Sequence, residues 1–441
     1  MKVEVEVISN EIIKPSSPTP DHLRHYQLSF LDQTSPKHYN PLVFFYDLNG
    51  DHNITDISNK IKKSLSEVLT LFYPLAGRVK TDQLVDCSDE GASYSVARVN
   101  STCQLSDVIK NPLPTDLCKF LPFELHQLTE FPLGVQLNIF EGGGIAIGLC
   151  ISHQFADALS CIMFVGTWVA ISRGEAADGD HDRKPDRPEF VAATIFPPKD
   201  DPGYDASASI TTDVKTKRFV FDASAIEAIR SQYEEGRVGL GGHHKRTSRV
   251  EALSAFIWSR FVAATRDELS PELEKVYTVI HAVNLRPRFD PPLSEHSFGN
   301  ISRCSFATFS GEEDGFEVVR RIREGFKEVN MDYLRKVQEG KDSQFDLIVE
   351  NAQSVRMRGG QLSTLVFTSL CRFPLYDADF GWGEPTWVSS ASLCFNNLVA
   401  FLDAKTGNGI EAYIGLKDEQ MAKLEADEDF LRTVSPLGAQ S

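Results

Sequence analysis

A strand-turn-strand-helix pattern in residues 135–174 constrains the fold of this 441-residue chain more than any other feature. Residues 135–140 alternate between apolar and polar side chains, which predicts a half-buried strand, and a glycine-rich turn follows them. Residues 145–151 are apolar and predict the returning strand. Residues 158–172 are apolar on most sides and stop at Gly174, which predicts a buried helix with a glycine C-cap.

His153 and Asp157 lie in the connection between the second strand and the helix. Three interpretations fit them. His153 can be a hydrogen-bonded histidine at a strand end, or the pair can ligate a metal, although no neighbouring cluster supplies a third ligand. Alternatively, neutral His153 is a general base, because its ordinary pKa of about 6.5 suits proton removal at cellular pH. Spacing alone does not choose among them.

Length and composition predict two domains of ordinary globular type, each of about 200 residues. Residues 175–203 are rich in proline and charge and are the best linker candidate. We predict an N-terminal domain over 1–190, a crossover linker over 191–214 and a C-terminal domain over 215–441. Helical and strand patterns occur in both halves, which predicts the α/β class.

Other local signals predict helices. Ser248 and Glu251 form a capping box that starts a helix running to about residue 264. Apolar residues at helical spacing predict an amphipathic helix over 57–72. A single long helix is predicted over roughly 315–337.

Charge and cysteine usage argue against several partners. The net charge of −17 repels nucleic acid and anionic membranes. The N-terminus lacks the apolar stretch of a signal peptide, and no apolar run reaches the roughly 20 residues needed to span a bilayer. The eight cysteines occur singly, without zinc-site spacing. We therefore expect a cytoplasmic protein with reduced thiols, no bound metal, and no nucleic-acid or membrane partner.

A second motif lies far downstream of His153-x-x-x-Asp157 and consists of Asp379, Phe380, Gly381, Trp382 and Gly383. Together the two motifs are specific where either alone is weak. Further likenesses are Lys14 to Pro20, Leu31-Asp32-Gln33, Tyr73 to Arg78, Asn284 to Arg288, and Phe298-Gly299-Asn300. The whole chain resembles the BAHD family of plant acyl-CoA-dependent acyltransferases, in the branch of alkaloid and alcohol O-acetyltransferases.

The resemblance implies an α/β fold of two chloramphenicol acetyltransferase-like domains, with mixed sheets flanked by helices and an active-site channel at the domain interface. It implies that His153 is the general base and that Asp157 points away from the substrates and pairs with Arg286. The expected enzyme is a monomer that binds no permanent cofactor. It transfers acetyl from acetyl-CoA to a hydroxyl of a plant specialised metabolite, an alkaloid or a terpenoid.

The chain departs from the family at the expected oxyanion donor. Family members commonly carry Thr-Ser-Trp ahead of the second motif, where this chain has Thr368-Ser369-Leu370. Leucine cannot donate a hydrogen bond, so Thr368 or a backbone amide is the candidate donor. No G-x-S-x-G nucleophile elbow is present, which favours direct transfer in a ternary complex over an acyl-enzyme.

Coenzyme A phosphates require donors, and a basic run at a predicted helix start offers them. Its members are Lys245, Arg246, Thr247, Ser248 and Arg249. A solvated basic turn explains the same run equally well, and a second basic cluster competes with it. That cluster consists of Lys215, Lys217 and Arg218. The second motif, with two glycines and an indole, suits a packed structural turn better than a catalytic role.

Two other functions stay open. His153 would serve an amine as well as an alcohol, so an amine N-acyltransferase on the same fold is one alternative. A catalytically silent binding protein is the other. Leu370 favours the silent protein, whereas intact His153, Asp157 and Arg286 oppose it.

Overall fold

The computed structural model describes residues 2–48, 53–110, 112–174, 187–203, 210–234, 246–266, 275–406 and 408–435. They form two compact units. Unit 1 comprises Met1–Thr212, Leu293–Ile301 and Arg372–Cys394, and unit 2 comprises Asp213–Pro292, Ser302–Cys371 and Phe395–Ser441. Residues 175–186 and 204–209, from the predicted linker, lie outside the described part of the chain.

Unit 1 contains a six-stranded mixed sheet and a smaller three-stranded sheet. The larger sheet has the order β1-β6-β7-β8-β3-β13, and the smaller has the order β2-β5-β4. The strands are β1 Val5–Ile13, β2 His25–Gln27, β3 Tyr39–Tyr46, β4 Arg78–Thr81, β5 Leu84–Asp86, β6 Ala92–Val99, β7 Leu133–Ile139, β8 Ile145–Ser152 and β13 Trp387–Ser389. The helices are α1 Phe30–Gln33, α2 Ile54–Leu71, α3 Leu105–Lys110, α4 Pro114–Leu117, α5 Ala158–Ser172 and α6 Ala192–Ile195.

The predicted strand-turn-strand-helix pattern is confirmed as β7, β8 and α5, but the prediction that the first strand is half-buried is wrong, because the polar Gln136 and Asn138 of β7 are buried as well as its apolar residues. Strands β7 and β8 pair antiparallel along their length, and every residue of β8 is buried. Gly174 has a φ of 83°, a left-handed conformation that suits glycine, and its amide donates to the Ile171 carbonyl. The pattern therefore builds the rigid base from which residues 153–157 emerge.

The second motif, Asp379–Gly383, belongs to unit 1. The predicted domain boundaries, which divide the chain into consecutive segments, placed it in the C-terminal domain over 215–441. Strand β13 pairs antiparallel with β3, and the Trp387 ring stacks on Phe45 with centroids 5.3 Å apart. This pairing brings Arg372–Cys394 into unit 1. A strand partner more than 300 residues away leaves no local signal, which explains the difference.

Unit 2 contains one six-stranded mixed sheet and the remaining helices. The sheet order is β11-β10-β12-β14-β15-β9. The strands are β9 Lys215–Phe221, β10 Lys275–Asn284, β11 Ser302–Phe309, β12 Gln361–Ser369, β14 Leu398–Asp403 and β15 Ile410–Leu416. The helices are α7 Ala223–Gln232, α8 Arg249–Thr265, α9 Gly315–Glu328, α10 Met331–Gln338, α11 Ser343–Met357, α12 Asp418–Ala426 and α13 Glu428–Thr433.

The helix predictions have mixed outcomes. The capping box at the start of α8 is present, with Ser248 and Glu251 each bonding the other's backbone amide. The single helix predicted over 315–337 is wrong, because the chain forms two helices, α9 and α10. Asn330 separates them, since its side chain accepts the amides of Asp332 and Tyr333 and starts a new helix.

The predicted α/β class with two sheet-containing units flanked by helices is confirmed. Among the described residues, no helix has the length and apolar character needed to cross a membrane.

We predict that a buried histidine in unit 2, His281, lowers the free energy of unfolding in acid. The Nε2 atom of His281 lies 3.0 Å from the Ser254 Oγ, and its ring stacks on Phe367 with centroids 4.9 Å apart. Burial lowers the pKa of His281 to about 3. The unfolded chain therefore takes up a proton near pH 6.5 that the folded chain refuses until about pH 3, so stability falls as the pH drops through this window.

We expect His281→Gln to lose less stability between pH 7 and pH 5 than the parent, by about 2 kcal/mol. Urea unfolding at both pH values measures this difference. His22→Gln, at an exposed position, is the control and should retain the parental pH dependence. Equal pH dependence in His281→Gln and the parent would contradict the assignment.

Candidate active site

His153 follows the end of β8 in unit 1 and is partly exposed. Its backbone amide donates to the His38 carbonyl at 2.8 Å, and the two imidazole rings are 5.1 Å apart. Burial lowers the pKa of His153, so the ring is neutral at physiological pH. A neutral imidazole on a rigid strand end is able to accept a proton.

Asn300 contacts this ring, and Asp32 contacts Asn300. The Nδ1 atom of His153 lies 3.1 Å from the Asn300 Oδ1, and the Asn300 Nδ2 donates to the His153 carbonyl at 2.7 Å and to the Asp32 Oδ1 at 2.9 Å. Asp32 is fully buried. Both residues belong to segments that resemble the family, Leu31-Asp32-Gln33 and Phe298-Gly299-Asn300. That resemblance was the only sign of their importance in the sequence, and it did not predict a role for either of them.

Asp157 caps α5 and holds a neighbouring loop. Its Oδ1 accepts the Ser160 amide at 2.9 Å, and its Oδ2 accepts the Ile301 amide at 3.0 Å. The Ser160 hydroxyl also donates to the Gly299 carbonyl at 2.9 Å. Asp157 thus joins the helix start to the loop that carries Asn300, and its supporting role in catalysis stays a prediction.

Arg286 is fully buried in the short 3-10 turn Arg286–Arg288 of unit 2. Its Nη1 donates to the Asn284 Oδ1 at 3.2 Å. The pairing of Arg286 with Asp157 stays a prediction.

Thr368 lies in β12 of unit 2, near the end of the strand, and is partly exposed. The Leu370 amide donates to the Phe401 carbonyl at 2.8 Å, and the Cys371 amide donates to the Ser369 Oγ at 3.2 Å. These two amides already have acceptors, and the assignment of the Thr368 hydroxyl as oxyanion donor stays a prediction.

The motif Asp379–Gly383 makes the contacts of a packed turn. The Asp379 Oδ1 accepts the amides of Gly381 and Gly383 at 2.7 and 2.8 Å. Burial opposes ionisation, yet these hydrogen bonds hold the pKa of Asp379 below its ordinary value. The buried Phe380 ring packs edge-on against Trp168 of α5, and Trp382 stacks on Phe380. These are the contacts of a packed turn, and the structural role of the motif stays a prediction.

Most cations of the candidate coenzyme A cluster contact carboxylates of unit 2. Lys245 lies outside the described residues. Arg246 pairs with Glu227, and Arg249 pairs with Asp403 at 2.9 Å. The buried Thr247 donates its amide to the Glu234 Oε1 at 2.9 Å. The capping box already uses the Ser248 side chain. A phosphate would therefore compete with these carboxylates for Arg246 and Arg249.

The competing cluster is also paired. Lys217 contacts Glu425, and Arg218 forms a buried two-point ion pair with Glu411 at 2.6 Å. Lys215 is exposed. Arg218 is therefore buried in an ion pair inside unit 2. Lys215 and Lys217 are the two residues of this cluster that solvent can reach.

Cys150 lies on β8, three residues before His153. Burial raises the pKa of the Cys150 thiol, which keeps it protonated and a poor nucleophile. Within the described ranges, no three His, Cys, Asp or Glu side chains come together as a metal-binding group.

A family model described as the Transferase family matches residues 3–431. The chain belongs to this family, the BAHD acyltransferases. Stemmadenine O-acetyltransferase of Catharanthus roseus is 34% identical over 97% of this chain and 97% of its own length. Limonoid 21-O-acetyltransferase of Melia azedarach is 36% identical over 98% of this chain and 99% of its own length. The crystal structure of vinorine synthase matches with a TM-score of 0.81 and 33% identity, covering 98% of this chain and 99% of that one.

Family membership makes this chain an acyl-CoA-dependent acyltransferase. The likeness to vinorine synthase also agrees with the fold class expected from the sequence.

Proposed function

We propose that this enzyme transfers the acetyl group of acetyl-CoA to a hydroxyl of a specialised metabolite, an alkaloid or a terpenoid, with His153 as the general base. Similar proteins named as O-acetyltransferases of stemmadenine and of limonoids support this substrate class. The observation that carries the chemistry is a neutral, partly exposed imidazole fixed at the end of a buried strand.

The proposed reaction needs a base because an alcohol has a pKa far above 7. His153 removes the hydroxyl proton as the oxygen attacks the thioester carbonyl, a contribution of about 10²–10⁴-fold to the rate. The Thr368 hydroxyl donates to the resulting oxyanion. When the tetrahedral intermediate collapses, the carbon–sulfur bond breaks and the imidazolium returns its proton to the coenzyme A thiolate. Asp157 and Arg286 support the loop around the base.

We also propose a cytoplasmic monomer that binds no permanent cofactor. The phosphates of coenzyme A are assigned to residues 245–249.

Product analysis tests the function. The purified enzyme is incubated with acetyl-CoA and a panel of hydroxylated alkaloids, limonoids and matched amines, and products are read by mass spectrometry. O-acetylated products support the proposal. N-acetylated products alone would indicate the amine acyltransferase, and no product with any acceptor would indicate the silent binding protein.

Charge reversal tests the coenzyme A assignment. Arg246 is 58% exposed, so its ion pair with Glu227 contributes little to folding. We expect Arg246→Glu to raise the KM for acetyl-CoA roughly tenfold, equivalent to about 1.4 kcal/mol, while the acceptor KM stays unchanged. Initial rates at varied acetyl-CoA measure it.

Arg335→Glu is the control for this test, because Arg335 is an exposed arginine paired with Asp332 elsewhere in unit 2. Its KM for acetyl-CoA should equal that of the parent. An unchanged KM in Arg246→Glu, together with a raised KM in Lys215→Glu, would move the site to the competing cluster.

A further inference from the structure

We propose that Asn300, anchored by Asp32, is a positioning residue that keeps the His153 proton on Nδ1 and leaves Nε2 as the atom that accepts the substrate proton. The proposal rests on the proposed function and deepens it by naming the base atom and the residues that select it. Asn300 acts through His153.

The orientation of the Asn300 amide follows from its partners. Its Nδ2 lies 2.7 Å from the His153 carbonyl and 2.9 Å from the Asp32 Oδ1, and both of these atoms are hydrogen-bond acceptors. A flipped amide would place an oxygen against a carbonyl and a carboxylate, which is repulsive. The Asn300 Oδ1 therefore faces His153.

The tautomer of His153 follows from that orientation. An amide oxygen only accepts hydrogen bonds, so the ring nitrogen 3.1 Å away, Nδ1, must carry the hydrogen. In a neutral imidazole the other nitrogen, Nε2, then holds the lone pair. Asn300 bonds the ring and the backbone carbonyl of the same residue, which fixes His153 at two points.

Asp32 is built as an anchor for this amide. Its Oδ2 accepts the amide and hydroxyl of Ser29 at 2.8 and 2.6 Å, and its Oδ1 accepts the backbone amide and Nδ2 of Asn300, each at 2.9 Å. These four donors offset part of the cost of burying the carboxylate, although burial still raises the pKa of Asp32. The neighbouring amides of Gly299 and Ile301 are held by Ser160 and Asp157, so the loop is fixed on both sides of Asn300.

Ionisable groups face His153 from three elements. Asp32 lies on α1, Asp157 caps α5, and His38 immediately precedes β3. The two carboxylates favour the protonated form of His153. Burial, followed by the proximity of His153, lowers the pKa of His38 well below its ordinary value. His38 therefore stays neutral. His153 is the imidazole whose protonation lowers kcat/KM on the acidic side of the pH profile, which is called the acidic limb below.

The first test reads the tautomer directly. Protein labelled with ¹⁵N-histidine is studied by NMR at neutral pH, and the His153 signals are assigned by their loss in His153→Gln. We expect a protonated Nδ1 and a bare Nε2 in the parent enzyme. A protonated Nε2 with a bare Nδ1 would overturn the proposal.

The second test uses the pH dependence of kcat/KM in Asn300→Ala and Asn300→Asp. Loss of the acceptor in Asn300→Ala should lower kcat by roughly 10- to 100-fold and move the acidic limb to lower pH, because the bond to Asn300 favours the charged ring. A carboxylate at the same position should move the limb to higher pH.

Asn138→Ala is the matched control. Asn138 is another fully buried asparagine of unit 1, and its Nδ2 bonds the carbonyls of Phe120, Gln136 and Ala146. Its loss should lower stability without moving the acidic limb. If both Asn300 variants keep the parental limb, as Asn138→Ala should, Asn300 only supports the fold and the proposal fails.

The failure of this inference differs from the failure of the proposed function. An inactive His153→Gln variant combined with unmoved limbs in the Asn300 variants would remove the positioning role and leave the general base in place. A fully active His153→Gln variant would remove both.

Discussion

His153→Gln should lower kcat/KM for acetyl transfer by about 10²–10⁴-fold, the usual contribution of a general base. Glutamine keeps much of the size and one polar contact of the imidazole but cannot take up a proton near neutral pH. Initial rates of coenzyme A release, with the best acceptor of the panel, measure the loss. Parental folding of the variant is checked by its urea midpoint.

His22→Gln is the matched control for this substitution. His22 is exposed, lies in the 3-10 turn Asp21–Leu23 of unit 1, and is not among the residues assigned to the site. Its rate should equal that of the parent. A His153→Gln enzyme that is as fast as His22→Gln would mean that another group removes the proton.

Arg218→Met should destabilise the protein by about 3–5 kcal/mol. Arg218 and Glu411 are almost completely buried, and the guanidinium donates to both carboxylate oxygens at 2.6 Å. The single substitution leaves the Glu411 carboxylate buried without that partner, and the long bond from the Tyr413 hydroxyl, at 3.3 Å, is weak compensation. The urea midpoint of the variant measures the loss.

The double variant Arg218→Met with Glu411→Leu is the control for buried charge. Replacing both partners by apolar side chains of similar size removes the charge and the need for its partner, so most of the lost stability should return. A single variant as stable as the parent would show that the pair does not hold β9 against β15.

Local signals explain what the sequence predicted well. Strands β7 and β8 are neighbours in the chain, and the helix start at Ser248 depends on Glu251 three residues later. Periodicity and helix capping of this kind can be predicted from a short segment of sequence. The break at Asn330 was also local, but apolar spacing continued across it and concealed the new cap.

The contacts among His153, Asn300 and Asp32 could not be predicted from short segments in this way. His153 and Asn300 are 147 residues apart, and Asn300 and Asp32 are 268 residues apart. Tertiary folding alone brings an amide, a carboxylate and an imidazole together, so propensity and spacing do not predict their contact. The family resemblance pointed to His153, Asp32 and Asn300 in their motifs but gave a role only to His153.

Rescue of His153→Ala by added imidazole tests the general base most directly. The rate of acetyl transfer is measured across pH, with and without imidazole, alongside the parent. If His153 is the base, the variant is slow without imidazole, lacks the acidic limb of the parent, and regains rate in proportion to the neutral form of the added imidazole. A variant that runs at the parental rate without imidazole and keeps the parental acidic limb would contradict the assignment.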